Sequence, residues 1–494
     1  MLAWILVQSI MAMSPTGGHD LAGFVGYTVP LLKVPAGRSG RLQDQLMSWA
    51  VLQGNRTINF LCLRGGFIMF LMRTTALLLL CSQTCAAEDW PHWRGADRRD
   101  VTVEASLWDG TSWVNDQPMW TAAVGEGGTS PIVIGDRLYA MGWSNDQDTV
   151  FCLNTDTGKE IWKSSYRCPR YGRLATGDEG LYSGPTSTPE YDAETGFLYT
   201  LSCDGDLNCW DAKQQGSRRW HLNLYDNFHV ARRPKIGRSG LPDYGYTTSP
   251  LIHGNWVLIE VGADSGAIMA FDKRTGQHVW SSDATGPAGH TGGLVPITVE
   301  GLPCVAVLTC YRLLIVRLDE GAAGKTVAEY EWTTNFVNNI ATPAVSESFL
   351  LITSAYNHNA ICKLKVTLSG IEKIWEQPFA SKVCSPIIHG GRVYWAWQKL
   401  HCLDWETGSE LWSGGQFGDA GSCIITGDDR LIIWSGRGTL TLAETAVRSP
   451  DAYQERAHLD IRSRSDVWPH VVLAAGRIFC KDRDGHLHCL KSGP

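Results

Sequence analysis

What this chain lacks narrows its function before any residue is singled out. It has no net positive charge: the formal balance is -7 over 494 residues, with 19% charged. A global basic field for nucleic acid is therefore absent, and no nucleic-acid partner is expected. No Cys-x-x-Cys-His is present to attach a haem, no two cysteines are adjacent, and no zinc-ligand spacing or Ser-His-Asp constellation occurs, so no metal ligands are assigned. Arg64 and Arg73 interrupt the apolar stretches of the N-terminal region, leaving none of the roughly 18 to 20 residues that a membrane-spanning helix requires. Helical periodicity is scarce from residue 88 onward, whereas Gly (52) and Trp (21) are plentiful. Many short strands joined by turns are the expected result.

What is there is a repeat. LNTDTGKEIW (Leu153 to Trp162) returns as FDKRTGQHVW (Phe271 to Trp280) and LDWETGSELW (Leu403 to Trp412). In each copy an Asp or Asn ends an apolar run and can bond the backbone two residues on, and a Gly four residues later supplies a positive-φ position. That combination is a tight turn between two strands. The Trp, always four residues after the Gly, falls on the returning strand, where a large flat ring can bury itself against the next copy.

Counting by a leading Ser/Thr-Pro and a closing Trp gives eight units. The first runs from Thr129 to Tyr166, with Trp162. The second runs from Ser183 to Tyr225, with Trp220 and one extra residue before its Gly. The third spans Thr248 to Trp280, and the fourth, from about His290 to Trp332, has lost the leading motif. The fifth spans Thr342 to Trp375 and the sixth Ser385 to Trp412. A seventh unit from about Ser422 lacks a closing Trp. An eighth, from Trp468-Pro469 to Cys489-Leu490, is one strand short, while Pro118 to Val124, with Trp120, is a lone strand without a hairpin. The two halves complete one another if the repeats close into a ring, which also removes exposed sheet edges. The expected fold is all-β: an eight-bladed β-propeller over 118–494, closed by its N-terminal strand, with 88–117 as a preceding arm and Trp120, Trp162, Trp220, Trp280, Trp332, Trp375 and Trp412 locking the blades.

The N-terminus is read separately. Met69 to Ala87, MFLMRTTALLLLCSQTCAA, pairs Arg73 with a short apolar core and small residues before Glu88, the pattern of a secretory signal. Residues 1–68 are then an over-extended start outside the fold, 69–87 the signal, and the mature chain extracytoplasmic, periplasmic or released, after cleavage near Ala87, without a transmembrane segment. Of fifteen cysteines, twelve follow Glu88, an even number suited to an oxidising compartment. Cys152, Cys209, Cys402 and Cys489 recur on the third strand of their units, as buried small hydrophobes too far apart to bridge. A two-residue turn at Asp484-Gly485 would set Cys480 opposite Cys489.

The Ser/Thr-Pro lead, the Asp-x-x-Thr-Gly-x-x-x-Trp turn and the DWPxWRG start resemble the pyrroloquinoline-quinone-like repeat family, over residues 88–494. The family includes quinoprotein alcohol dehydrogenases, an outer-membrane assembly lipoprotein and secreted planctomycete-type repeat proteins. The resemblance is specific for fold and implies no single activity. It makes pyrroloquinoline quinone with calcium the cofactor pair to test. The dehydrogenases of the family carry a strained ring of adjacent cysteines, a calcium-binding carboxylate and amide set, and an Asp base, and this sequence has no adjacent cysteines. Asp243 and Asp264 have no motif around them and read as turn residues.

Two long connections stand out instead. Tyr166 to Tyr182 carries Arg170 and Arg173, and His221 to Thr247 carries Arg232, Arg233, Lys235, Arg238, Tyr244 and Tyr246. Connections from the last strand of one blade to the first of the next gather on one propeller face, around the channel. These basic and aromatic loops are candidate binding residues for an anionic group or a protein partner. Two functional readings follow: a non-catalytic binding or scaffold propeller, and a quinoprotein oxidoreductase acting on an alcohol or sugar. N-terminal sequencing of protein from the native envelope is expected to begin near Glu88, and a mature chain retaining residues before Met69 would overturn the reading of the start.

Overall fold

The structure, a computed structural model, describes residues 49–53, 56–60, 88–169, 184–230, 244–335 and 337–493. The chain divides into two compact units, Met1–Ser82 and Gln83–Pro494. In the first, Trp49–Gln53 and Arg56–Phe60 form an antiparallel pair. The signal-like run 69–87 lies outside the described residues.

The second unit is an eight-bladed β-propeller. Its sheets span 132–167, 190–223, 251–281, 295–331, 344–377, 387–418 and 422–460 as blades 1 to 7. Blade 8 joins Val472–Ala474, Arg477–Lys481 and His486–Lys491 to the strand Trp120–Ala123 from the other end of the chain. That strand runs antiparallel to His486–Lys491, with Trp120 opposite Cys489 and Ala123 opposite His486. The ring closure expected from the complementary halves is therefore present. The first strands of several neighbouring blades touch one another, which places them innermost.

The repeated turn explains how the blades hold together. Asn154 Oδ1 accepts the backbone N–H groups of Asp156 and Thr157, and Asp272 and Asp404 do the same in blades 3 and 6. Each turn then closes through a Gly at positive φ: Gly158 (66°), Gly276 (72°) and Gly408 (71°). In blade 2 the extra residue becomes a 3-10 turn, Ala212–Gln214, and Gly216 keeps the same place. These glycines have a second reason to lack a side chain. A Cβ on Gly158 would stand 2.6 Å from the Trp120 ring, on Gly216 2.4 Å from Trp162, on Gly276 2.7 Å from Trp220, and on Gly408 2.8 Å from Trp375. The indole of one blade thus lies flat on the turn of the next, and Trp120 on Gly158 carries the series across the seam from blade 8 to blade 1.

Small residues face these rings within their own blade. Cys152 pairs with Trp162, Cys209 with Trp220, Cys402 with Trp412 and Cys489 with Trp120, while Ala270 takes the place opposite Trp280. Trp162 and Trp412 are buried, and Trp120, Trp220 and Trp280 are partly exposed at the rim. Blade 5 has Lys363 opposite Trp375, a buried lysine whose Nζ donates to the Trp405 carbonyl (3.1 Å) and sits 4.0 Å over its ring.

A second ring, nearer the axis, gives the Ser/Thr-Pro motif its role. The N–H of Ser130 donates to Thr188 Oγ1 (3.1 Å), that of Thr188 to Ser249 Oγ (3.0 Å), that of Thr342 to Ser385 Oγ (3.0 Å), and that of His470 back to Ser130 Oγ (2.8 Å). Each hydroxyl satisfies a backbone donor that an inner strand start would otherwise bury unpaired.

Two expectations are corrected, and one blade departs from the four-strand pattern of the others. Trp332 does not hold the locking position of blade 4: the residue before the bulge is Ala328, paired with Ile315, and Trp332 lies beyond the strand end, stacked on His358 at 4.1 Å. Blade 6 has three strands in place of four, its middle strand Arg392–Asp404 passing through Gln398 at φ 60°. Cys480 faces His488 and not Cys489, because the turn is longer by one register step. The Asp482 carboxylate accepts the His486 N–H (2.9 Å) and holds that longer turn, so Cys480 and Cys489 point to opposite sheet faces.

Trp162→Ala should cost about 3 to 5 kcal/mol, as large aromatic truncations do, read as a shift of the urea midpoint. Deleting 88–125 removes the outer strand of blade 8, and hydrogen exchange is expected to show loss of amide protection first within Val471 to Cys489; unchanged protection there would mean the ring is held closed by other contacts.

Candidate functional site

The arm before the first blade is part of the core. Trp90 exchanges both backbone hydrogen bonds with Val133 of blade 1 (2.8 and 2.9 Å), and Pro91 accepts from Tyr191 of blade 2. The chain then crosses toward the far blades. Arg94, 2% exposed, donates from Nε to Asp100 (2.5 Å), from Nη1 to the Pro343 carbonyl (3.1 Å) and from Nη2 to the Pro386 carbonyl (2.6 Å). A buried guanidinium is tolerated because all three of these donors meet an acceptor and its charge meets a carboxylate. Asp100 is fully buried. Burial acts to raise its carboxyl, but Arg94 and His470 outweigh this and hold it below the ordinary carboxylate range.

Between these anchors Trp93 enters the channel. Its Nε1 donates to Thr342 Oγ1 (3.1 Å), its ring lies 4.1 Å from His470, and Cβ atoms on Gly292 and Gly293 would stand 2.4 and 2.6 Å from it. The sequence Gly292-Gly293, where blade 4 lacks the Ser/Thr-Pro lead, is therefore explained: a side chain there would displace the indole.

Trp93 contributes to the wall of a cavity of about 240 Å³ at the channel mouth. Its wall is built from the segments that lead into the first strands, among them Thr186, Thr247, Ile340 and His470, and from two hairpin turns, which supply Tyr356 and Arg483. This is the face on which the connections between blades gather. Two cations stand at it, each against a ring. Lys382 Nζ is 5.9 Å over Tyr356 and 2.8 Å from Asp419, and the Arg483 guanidinium is 5.3 Å over Trp468. Among the described residues that line it there is no carboxylate, Asp419 standing beside it as the partner of Lys382.

Of the binding residues expected from sequence, Arg170, Arg173, Arg232, Arg233, Lys235 and Arg238 lie outside the described residues. Tyr244 lines the cavity, its ring edge-on to His290 at 5.3 Å. Tyr246 is a core residue: its hydroxyl donates to the Val261 carbonyl (2.8 Å) and its ring packs on Tyr225. Asp264 is exposed in a hairpin turn, and Asp243 lies outside the described residues. The sequence reading did not find Trp93, Lys382, Trp468, His470 or Arg483. For Trp93 the signal was present, since WRG follows the arm's first Trp and precedes a buried ion pair; the others have no local pattern.

Among the described residues no group of three His, Cys, Asp or Glu is gathered to hold a metal ion. Calcium takes six to eight oxygen ligands, carboxylates among them, and the described residues of this wall offer no carboxylate. The described residues do not supply the oxygen set that a calcium-bound quinone would need.

Residues 178–414 match the family described as outer membrane protein assembly factor BamB. The chain is 25% identical over 181 residues to methanol dehydrogenase (cytochrome c) subunit 1 of Paracoccus denitrificans, covering 35% of this chain and 26% of that protein. It is 25% identical over 274 residues to the outer membrane protein assembly factor BamB of Bordetella pertussis, covering 53% of this chain and 58% of that one. The chain thus matches less than two thirds of either relative's length. BamB from Moraxella catarrhalis superposes with a TM-score of 0.50 at 14% identity over 76% of this chain and 99% of that one. The quinohemoprotein alcohol dehydrogenase of Comamonas testosteroni gives 0.56 at 12% identity over 83% and 81%. At such identities the superpositions show the fold alone. With the match over residues 178–414, they define the class of fold: an eight-bladed β-propeller similar to the pyrroloquinoline-quinone-like repeat proteins.

Beside the cavity, Lys481 is buried, with Nζ donating to the Gly127 carbonyl (2.6 Å). Burial lowers its pKa from 10.5 to about 7, against the pull of Asp482 and with that of Arg483. Because the folded value is depressed, the stability this group contributes is present above its ordinary pKa and is lost as pH falls toward about 7. Urea unfolding of the wild type against Lys481→Met should show the variant gaining relative stability as pH falls from 10.5 to about 7, then levelling.

Proposed function

We propose that this protein is an extracytoplasmic, non-catalytic propeller that binds or scaffolds a partner, with the bound group received at the channel mouth among the connections between blades. The observation that carries this reading is the cavity itself: Lys382 and Arg483, each against an aromatic ring, face a pocket closed at one side by Trp93 and lined, among the described residues, by no carboxylate. Cations held over rings in a partly dry site favour an anionic group by charge-assisted hydrogen bonds and leave an apolar surface for stacking. At about 240 Å³ it is smaller than the roughly 300 to 1,000 Å³ typical of small-molecule sites. That volume suits a single acidic or aromatic side chain of a protein partner. The likeness to an outer membrane protein assembly factor supports a partner-binding role and the extracytoplasmic setting.

The competing reading is a quinoprotein oxidoreductase, and one experiment separates the two. The purified chain from Glu88 is mixed with pyrroloquinoline quinone and calcium, a primary alcohol and a redox dye, while tryptophan fluorescence follows binding. The binding reading expects no dye reduction above the protein-free rate, whereas quenching by N-acetyl-aspartate in place of the quinone should be salt-sensitive and weaken about tenfold in Lys382→Ala, as the loss of one charged contact implies. Calcium-dependent dye reduction would overturn it.

A further inference from the structure

All twelve cysteines from Cys152 onward are buried, and most are accounted for by packing. Four are not, because they meet in pairs across blade boundaries. Cys384, just before the first strand of blade 6, has its Sγ 3.6 Å from that of Cys423, in the first strand of blade 7. Cys168 follows the last strand of blade 1 and packs against Cys203, in the hairpin turn of blade 2, in one small buried cluster with Trp143. Trp143 Nε1 donates to the Cys168 carbonyl (2.9 Å), which fixes the backbone there. No principle of core packing asks for two sulfurs at the same inter-blade boundary twice, whereas a disulfide needs that approach.

We propose that Cys168–Cys203 and Cys384–Cys423 are disulfide sites, two covalent staples joining blade 1 to blade 2 and blade 6 to blade 7. The inference rests on the extracytoplasmic reading for its oxidant, a disulfide-donating protein of the folding compartment. One thiolate attacks the donor's disulfide, giving a mixed disulfide and releasing one donor thiolate; the partner cysteine's thiolate then displaces the second donor sulfur. Two S–H bonds are exchanged for one S–S bond, the donor disulfide is reduced to two thiols, and the protons pass to the donor sulfurs. In the folded reduced protein the neighbouring sulfur and burial raise the Cys168 and Cys423 thiols, which makes these two poor nucleophiles, and burial of all four closes the folded pairs to a protein oxidant and assigns the reaction to folding. The other eight cysteines have no such geometry. Cys480 and Cys489 face opposite sides of their sheet, and Cys152, Cys209 and Cys402 each face a tryptophan.

The staples bind the blade entrances on the cavity face, because Cys384 leads into an inner strand and Cys168 opens the connection 168–184. Each closes only a local loop: 39 residues separate Cys384 from Cys423. They therefore fix neighbouring blades and leave the seam between blades 8 and 1 to hydrogen bonds and the Trp120 ring.

The test uses the chain from Glu88, refolded in a buffer of oxidised and reduced glutathione, then alkylated in denaturant and digested. The expected result is four protected thiols, a mass lower by four hydrogens, and two linked peptides, Cys168 with Cys203 and Cys384 with Cys423. The oxidised protein should also unfold at a higher urea concentration than the reduced one. Twelve alkylated thiols, or links between other cysteines, would overturn the pairing. Cys203→Ser and Cys423→Ser each should abolish one link and keep the other. The same digest of protein from the native source separates the two layers of the argument: links formed in the refolded chain but absent from the native protein support the pairing and overturn the extracytoplasmic setting.

Discussion

An indole lying on a glycine turn is the contact on which the propeller depends. A sheet of four short strands cannot bury both of its faces alone, and stacking neighbours is what makes each blade stable. The turn needs a positive-φ residue for its own geometry, and the absence of a side chain there opens a seat for the ring of the preceding blade. Gly158, Gly216, Gly276 and Gly408 serve both needs at once. Because each ring sits on the following blade, the contacts run in one direction around the axis, and the hydroxyl ring of Ser130, Thr188, Ser249 and Ser385 repeats that directionality nearer the channel. Where the ring is missing the seat is relaxed: blade 4 has Ala328 in place of Trp, and Gly370 of blade 5 has nothing within 4 Å of its would-be Cβ.

How much was legible in the sequence follows from this. A contact built from one Asx turn, one Gly and one Trp at fixed spacing leaves a pattern that can be counted, so blade number, seam and the partner of Trp120 were all readable. Trp332 misled because counting by residue type ignores the bulge that sets register; Ala328 occupies the locking place and no spacing rule marks an alanine. The Cys480 register failed for a related reason, since the Asp482 side chain lengthens a turn that Asp484-Gly485 alone would have made tight. The cavity was hardest. Its wall takes one or two residues from each of several blades, and Lys382, Trp468 and Arg483 become neighbours only when the ring closes. The sequence expectation fell on the basic loops between blades, whose Arg170, Arg173, Arg232, Arg233, Lys235 and Arg238 lie outside the described residues.

The N-terminal arm changes how the propeller is understood as a container. Trp93, Arg94 and Asp100 make one connected set that reaches blades 4, 5, 6 and 8, so the channel is stopped by part of the chain. A buried cation meeting two blade carbonyls also reports on whether those blades are in place, because displacing either carbonyl would leave one of its N–H donors buried without an acceptor, at a cost of about 1 to 3 kcal/mol. The floor of the cavity and the integrity of the ring are thereby the same set of bonds.

The seam in blade 8 has a consequence in time as well as in space. Thr121 and His488 touch across 367 residues, so the strand Trp120–Ala123 is made early in synthesis and has no partner until the last residues of the chain arrive. Until then its edge is open, and every intervening blade must assemble without a closed ring to align it. Long-range pairing of this kind slows folding because the chain entropy is lost before the contact forms. A protein so arranged folds as an incomplete arc first and becomes a ring only in its final step, and throughout that interval its first strand is the surface most in need of protection from other chains.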